Sequence, residues 1–147
     1  MRTFRQALWI LVLAAAPGWA LAATPEQRAA SLMARMSLDD KIGQLVQFSS
    51  WGPLKQEQIE GVRRGQIGSL LNVKGAKATN EAQRLAVSES RLGIPLLLGL
   101  DVIHGYKTIF PIPLASSCSW DMDLIERSEA VAAREAAAAG VRWTFAP

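Results

Sequence analysis

Apolar positions along the chain recur in two ways, at three- to four-residue spacing in some stretches and as short continuous runs in others. Their alternation predicts helices and strands in turn. Thr24, Pro25 and Gln27 open a first helix, with proline at its first position and a glutamine placed to reach back to the cap. Ala29, Leu32, Met33 and Met36 follow at helical spacing. Ser37 caps a second helix whose first turn carries Asp39 and Asp40, where negative charge suits the helix dipole. Leu38, Ile42, Leu45 and Val46 form its predicted buried stripe. A third helix is predicted over residues 55–64, with Ile59 and Val62 inward.

Residues 67–73 then read as a short apolar strand and 75–79 as a loop. Asn80 and Gln83 open another predicted helix, which ends at Gly93. The run Ile94-Pro95-Leu96-Leu97-Leu98-Gly99-Leu100 is the clearest strand, and its continuous apolar character predicts a parallel strand covered on both faces. Residues 101–119 show no helical period. An alanine-rich helix is predicted from about Asp121 to Ala139, closed by Gly140, and a last strand from Val141 to Phe145. Three strand–helix steps of this kind belong to an α/β fold with a parallel sheet. A closed (β/α)₈ barrel takes about 250 residues, so these 147 are too few to complete one.

Half of the residues are apolar and a fifth are charged, the profile of a folded domain. Arg2 and Arg5 precede an apolar run from Ala7 to Ala16, and Ala20-Leu21-Ala22 has the small-x-small form of a cleavage site. This layout predicts a signal peptide over residues 1–22, and hence export to the periplasm or the medium. The run is too short for a membrane anchor. Its removal takes Arg2 and Arg5 from 16 basic side chains, leaving 14 against 13 acidic ones. Beyond Arg63-Arg64 there is no basic cluster, which argues against a nucleic-acid partner. Cys118 is the single cysteine, expected as a buried free thiol.

Asp101 stands at the C-terminal end of the best strand, the edge where parallel α/β folds bind ligands. Its position leaves two readings open: a charged acceptor for sugar hydroxyls, or a cap for the amides of its own turn. His104 is expected to order that loop by donating to a backbone carbonyl. Asp101 and His104 lack a nearby third ligand for a metal site. Lys107 is expected in solvent, Trp120 and Trp143 in the core, and Trp51 exposed. No Gly-x-Gly-x-x-Gly pattern is present and nothing implies a metal or organic cofactor.

Five segments in order carry a family resemblance. They are Met36–Leu45, Arg91–Leu97, Gly99-Leu100-Asp101-Val102-Ile103-His104-Gly105, Phe110–Leu114 with Ser119-Trp120-Asp121, and Trp143–Pro147. Together they resemble the N-terminal part of family 3 glycoside hydrolases, enzymes of β-glucosidase type. The resemblance implies that residues 23–147 are the beginning of a (β/α)₈ TIM-type barrel, incomplete in this chain. It implies a retaining exo-acting hydrolase of β-glucosides, with a carboxylate nucleophile and an acid/base about 5 Å apart. Asp101 matches the family's aspartate that binds hydroxyls of the terminal sugar. The family's nucleophile and acid/base belong to segments beyond Pro147, so no catalytic residue is assigned in this chain. Asp39, Asp40 and Asp121 are accounted for by helix N-termini and are not promoted to that role. A β-xylosidase or β-glucanase specificity, or a non-catalytic sugar-binding fragment, are the alternatives.

Overall fold

The computed structural model describes residues 23–146; the predicted signal peptide over residues 1–22 lies outside them. Its elements run α1 (Pro25–Met33), α2 (Leu38–Gln44), β1 (Gln47–Ser49), α3 (Gln56–Arg63), β2 (Ser69–Leu71), α4 (Ala76–Glu89), β3 (Leu97–Leu100), α5 (Pro113–Ser117), α6 (Met122–Ala138) and β4 (Trp143–Thr144). The four strands form one parallel sheet in the order β1-β2-β3-β4. Each crossover carries at least one helix, the arrangement that parallel neighbours require. The α/β reading and the partial barrel both hold.

The register assigns each side chain to a face. Phe48, Leu70 and Leu98 are aligned across β1, β2 and β3, while Ser49, Leu71, Gly99 and Trp143 lie one residue on and point the other way. Leu70 and Leu98 are fully buried with Val62, Ala82, Leu85 and Ala86, so α3 and α4 cover this side of β2 and β3. A second cluster joins Leu100, Val102 and Val141 to Ala132 and Ala136 of α6. The opposite side of the sheet has no such cover: Leu97 is 43 % exposed, and Trp143 and Phe145 stack at 4.5 Å between ring centroids on that side. The expectation that β3 is covered on both faces is therefore corrected. Helices shield one face, and the other is uncovered among the described residues, the face that a closed barrel turns inward.

The same geometry corrects the second helix. Of its predicted stripe, Leu38 is 72 % and Leu45 87 % exposed, Ile42 is also exposed, and Val46 is only partly covered. What α2 buries instead is Gly43, where a Cβ would overlap the carbonyl oxygen of Gly65. Backbone-to-backbone contact therefore fixes this helix, supported by an ion pair from Arg91 to Asp40, whose carboxylate also accepts from the Ser37 amide at 2.7 Å. That doubly engaged position, with the Ser37 hydroxyl bond first among its causes, holds the Asp40 carboxyl below the usual aspartate value.

Several boundaries differ from those predicted. β1 is absent from the sequence reading: it is three residues long, and Gln47 and Ser49 interrupt its apolar pattern. Its place comes from pairing with β2 and from Gln58, whose Nε2 donates to the Ser49 carbonyl at 3.1 Å. α4 begins at Ala76, inside the predicted loop, because Gly75 starts it with no capping side chain to mark the point. Residues 113–117 form the short helix α5. Cys118 is free but exposed, and neither Trp120, almost fully exposed, nor Trp143, 40 % exposed, lies in the core as expected. α6 matches its predicted span, with Asp121 accepting from the Leu124 amide at 2.9 Å. No helix among the described residues is long and apolar enough to cross a membrane.

Two substitutions test this core. Leu98→Ala removes a buried side chain at the centre of the larger cluster and is expected to cost about 2–5 kcal/mol in urea denaturation. Thr79 is buried, and its hydroxyl donates to the Ala139 carbonyl at 2.8 Å, linking α4 to the end of α6. Thr79→Val is expected to cost about 1–3 kcal/mol, because that carbonyl loses its partner.

Candidate functional site

Every strand of the sheet ends on the same edge, and the loops leaving it converge there. After β1 come Ser50 and Trp51; after β2, Asn72 to Gly75; after β3, the loop that starts at Asp101. Asn72 adopts a left-handed backbone (φ 68°), its amide donates to the Gly99 carbonyl at 3.1 Å, and its side-chain amide donates to Ser49 Oγ at 3.0 Å. Asparagine tolerates this conformation better than most residues. The turn ends β2 and sends the chain past Lys74, whose ammonium lies 5.7 Å from the centroid of the exposed Trp51 ring, within cation–π range.

Asp101 is exposed between two buried neighbours. Leu100 and Val102 are both pinned in the cluster with Ala132 and Ala136 of α6, so the strand end is held while the carboxylate between them faces solvent. It lines a cleft of about 510 Å³ together with Lys74, His104, Tyr106 and Lys107. The loop from 104 to 110 closes on itself: the Phe110 amide donates to the His104 carbonyl at 2.8 Å, and Gly105 bridges Ile109. His104 Nδ1 lies 3.1 Å from the Phe110 carbonyl oxygen. A carbonyl only accepts, so this contact places the proton on Nδ1. His104 is thus the loop-ordering residue expected from the sequence.

Two anchors of the loop were not found by sequence reasoning. The Tyr106 hydroxyl accepts from the Gly75 amide at 3.2 Å and ties the β3 loop to the β2 loop. Glu135, on α6, accepts from the Lys107 amide at 2.7 Å, the Thr108 amide at 2.8 Å and the Thr108 hydroxyl at 2.7 Å. These bonds, the Thr108 amide first, hold its carboxyl below the usual glutamate value. The loop amides at Lys107 and Thr108 are therefore taken by Glu135, and Asp101 stays open to the cleft. The only sequence signal for Glu135 is an acidic residue in an alanine run, and nothing in its spacing points to a loop 27 residues earlier. Of the other acidic residues, Asp40 and Asp121 serve helix N-termini.

An exposed carboxylate, an ordered histidine loop and a cleft stand together at the C-terminal edge of the parallel sheet, the edge at which barrel folds place their sites. Residues 37–147 match the family model described as the glycosyl hydrolase family 3 N-terminal domain. The chain belongs to that family. It is 38 % identical over 128 residues to a periplasmic beta-glucosidase of Salmonella typhimurium, a match covering 84 % of this chain and 17 % of the relative. It is 30 % identical over 145 residues to a putative beta-xylosidase of Formosa agariphila, covering 84 % of this chain and 19 % of that one. The beta-glucosidase of Listeria innocua in complex with glucose superimposes with a TM-score of 0.73 at 35 % identity, again over 84 % of this chain and 19 % of that one. The chain therefore spans less than a fifth of the length of these relatives.

Gly105 and Glu135 yield local tests. Gly105 has φ +121°, and a Cβ there would overlap the Thr108 carbonyl, so Gly105→Ala is expected to open the 104–110 loop at a cost of about 1–3 kcal/mol. Loss of hydrogen-exchange protection at the Phe110 amide reads this directly. A carboxyl whose folded pKa is lowered contributes stability above its unfolded pKa and loses it as pH falls through the folded one. Protection of the Lys107 and Thr108 amides is accordingly expected to be full at neutral pH and to vanish on acidification below the ordinary glutamate range.

Proposed function

We propose that the complete polypeptide hydrolyses terminal, non-reducing β-D-glucosyl residues from β-glucosides and short oligosaccharides, and that this chain supplies part of its sugar-binding face. The observation that carries the reading is Asp101, an exposed carboxylate at the end of β3, flanked by buried Leu100 and Val102 and opening into the cleft. A carboxylate so placed accepts hydrogen bonds from two neighbouring sugar hydroxyls, and charged acceptors make the stronger bonds. Similarity to beta-glucosidases from Salmonella typhimurium and Listeria innocua supports glucose as the sugar bound there.

The mechanism is the retaining one, in which a carboxylate nucleophile forms a glycosyl-enzyme and a second carboxyl group acts as acid and then base. Both groups come from polypeptide outside residues 1–147. Within the chain, the helix-capping duties of Asp40 and Asp121 leave them unsuited to that role. Export to the periplasm or the medium fits the predicted signal peptide and the periplasmic relative. The similarity to a putative beta-xylosidase makes a pentose the second reading, since a xylosyl residue differs from a glucosyl one by loss of the hydroxymethyl group.

The complete polypeptide is expected to release glucose from p-nitrophenyl β-glucoside with net retention at the anomeric carbon, followed by NMR. Asp101→Asn is expected to lower kcat/KM roughly tenfold to a hundredfold, the worth of a hydrogen bond to a charged group. Faster turnover of the β-xyloside would favour the pentose reading, and failure to hydrolyse either glycoside would sink the proposal. The 147-residue chain alone should show no turnover, and calorimetric heat from millimolar glucose would instead favour a sugar-binding module.

A further inference from the structure

We infer that Glu135 is a positioning residue for the sugar site: from α6 it holds the loop that starts at Asp101 in its binding conformation. The inference rests on the reading of Asp101 as a sugar contact and adds a residue outside the cleft on which that contact depends.

The first observation is the geometry. One carboxylate receives three donors from two adjacent residues, the Lys107 and Thr108 amides and the Thr108 hydroxyl, all at 2.7–2.8 Å. Both amides donate to the same oxygen, Oε2. The second observation is where Glu135 sits. It lies in the last turn of α6, where the helix dipole disfavours negative charge. A glutamate here therefore works against its own helix. Residues that break a local preference are those whose role lies elsewhere.

A third observation links Glu135 to Asp101. Ala132 and Ala136, a turn before and the residue after Glu135, are buried against Leu100 and Val102, the two neighbours of Asp101. Their small side chains let α6 approach closely enough for the Glu135 carboxylate to reach the loop. One face of one helix thus grips both ends of the segment: apolar contact at residues 100 and 102, and hydrogen bonds at 107 and 108. Between them lie Asp101, His104 and Tyr106, all lining the cleft. Without Glu135 the 107–108 end loses its hold on α6, and the segment keeps only the apolar grip, the Tyr106–Gly75 bond and its own closure.

The test uses the complete polypeptide carrying Glu135→Gln, Glu135→Ala or Thr108→Val. Two readouts are taken: steady-state kinetics with glucose inhibition on p-nitrophenyl β-glucoside, and the rate at which trypsin cuts after Lys107. Glu135→Ala is expected to weaken glucose inhibition and lower kcat/KM at least tenfold, and to speed the Lys107 cut without speeding the others. Glu135→Gln should fall between Glu135→Ala and the unmodified enzyme, because its amide oxygen still accepts. Thr108→Val loses one bond of three and should change kcat/KM by about threefold. Glucose inhibition and kcat/KM within twofold of the unmodified enzyme in both Glu135 variants would overturn the inference, as would an unchanged Lys107 cut. If Glu135→Ala does not fold, the isosteric Glu135→Gln decides by the same readouts. An unmodified enzyme inactive on every β-glucoside would defeat the proposed activity instead, leaving the tryptic comparison to judge the loop.

Discussion

Parallel pairing is the constraint from which the rest of this structure follows. Strands that run the same way cannot be joined by tight turns, so each connection must travel back along the sheet, and it does so as a helix. In this chain α3, α4 and α6 all return on one side, where Leu70, Leu98 and Leu100 meet them. The helices therefore cover one face only. The other face carries Leu71, Leu97, Trp143 and Phe145, apolar side chains that gain little until more strands curve around them. The same constraint delivers every strand's C-terminal end to one edge, and with it every loop able to bear chemistry.

At that edge the loops are held by different means. The β2 turn is set by backbone and asparagine hydrogen bonds, and the β3 loop by its own closure and by Tyr106 reaching across to Gly75. Asp101 is exposed between two buried neighbours, while the amides of Lys107 and Thr108 are held by Glu135. A binding carboxylate must be rigid yet unsatisfied, and those demands conflict if the same donors serve both. In this structure Glu135, on α6, holds the loop amides, and Asp101 stands exposed on the cleft.

Much of this was legible in the chain. The helices at Ser37 and Asp121 declare themselves through capping side chains that form the predicted bonds. The Ile94–Leu100 run marks β3, and Asp101 follows it at the C-terminal edge of the sheet. His104 orders its loop as expected, through the Phe110 carbonyl six residues on, a partner close enough in the chain for a local reading to reach. The failures share a cause. β1 has three residues and no apolar pattern, and α4 starts on a glycine without a cap, so neither leaves a local signal. Leu38, Ile42 and Leu45 do carry a helical stripe, yet they remain exposed because the contact fixing α2 is backbone against backbone at Gly43.

What the sequence determined by itself is the family, the order of the longer elements and the strand that carries Asp101, since these depend on patterns within a few residues. Motif order from Met36 to Pro147 and the apolar run before Asp101 were sufficient for that. The tertiary structure alone decided which face of the sheet stays open and that Glu135 takes the amides of Lys107 and Thr108. Those outcomes depend on groups far apart in the chain arriving within hydrogen-bond reach. No spacing along a chain encodes such a meeting; the close approach of α6 through Ala132 and Ala136 does.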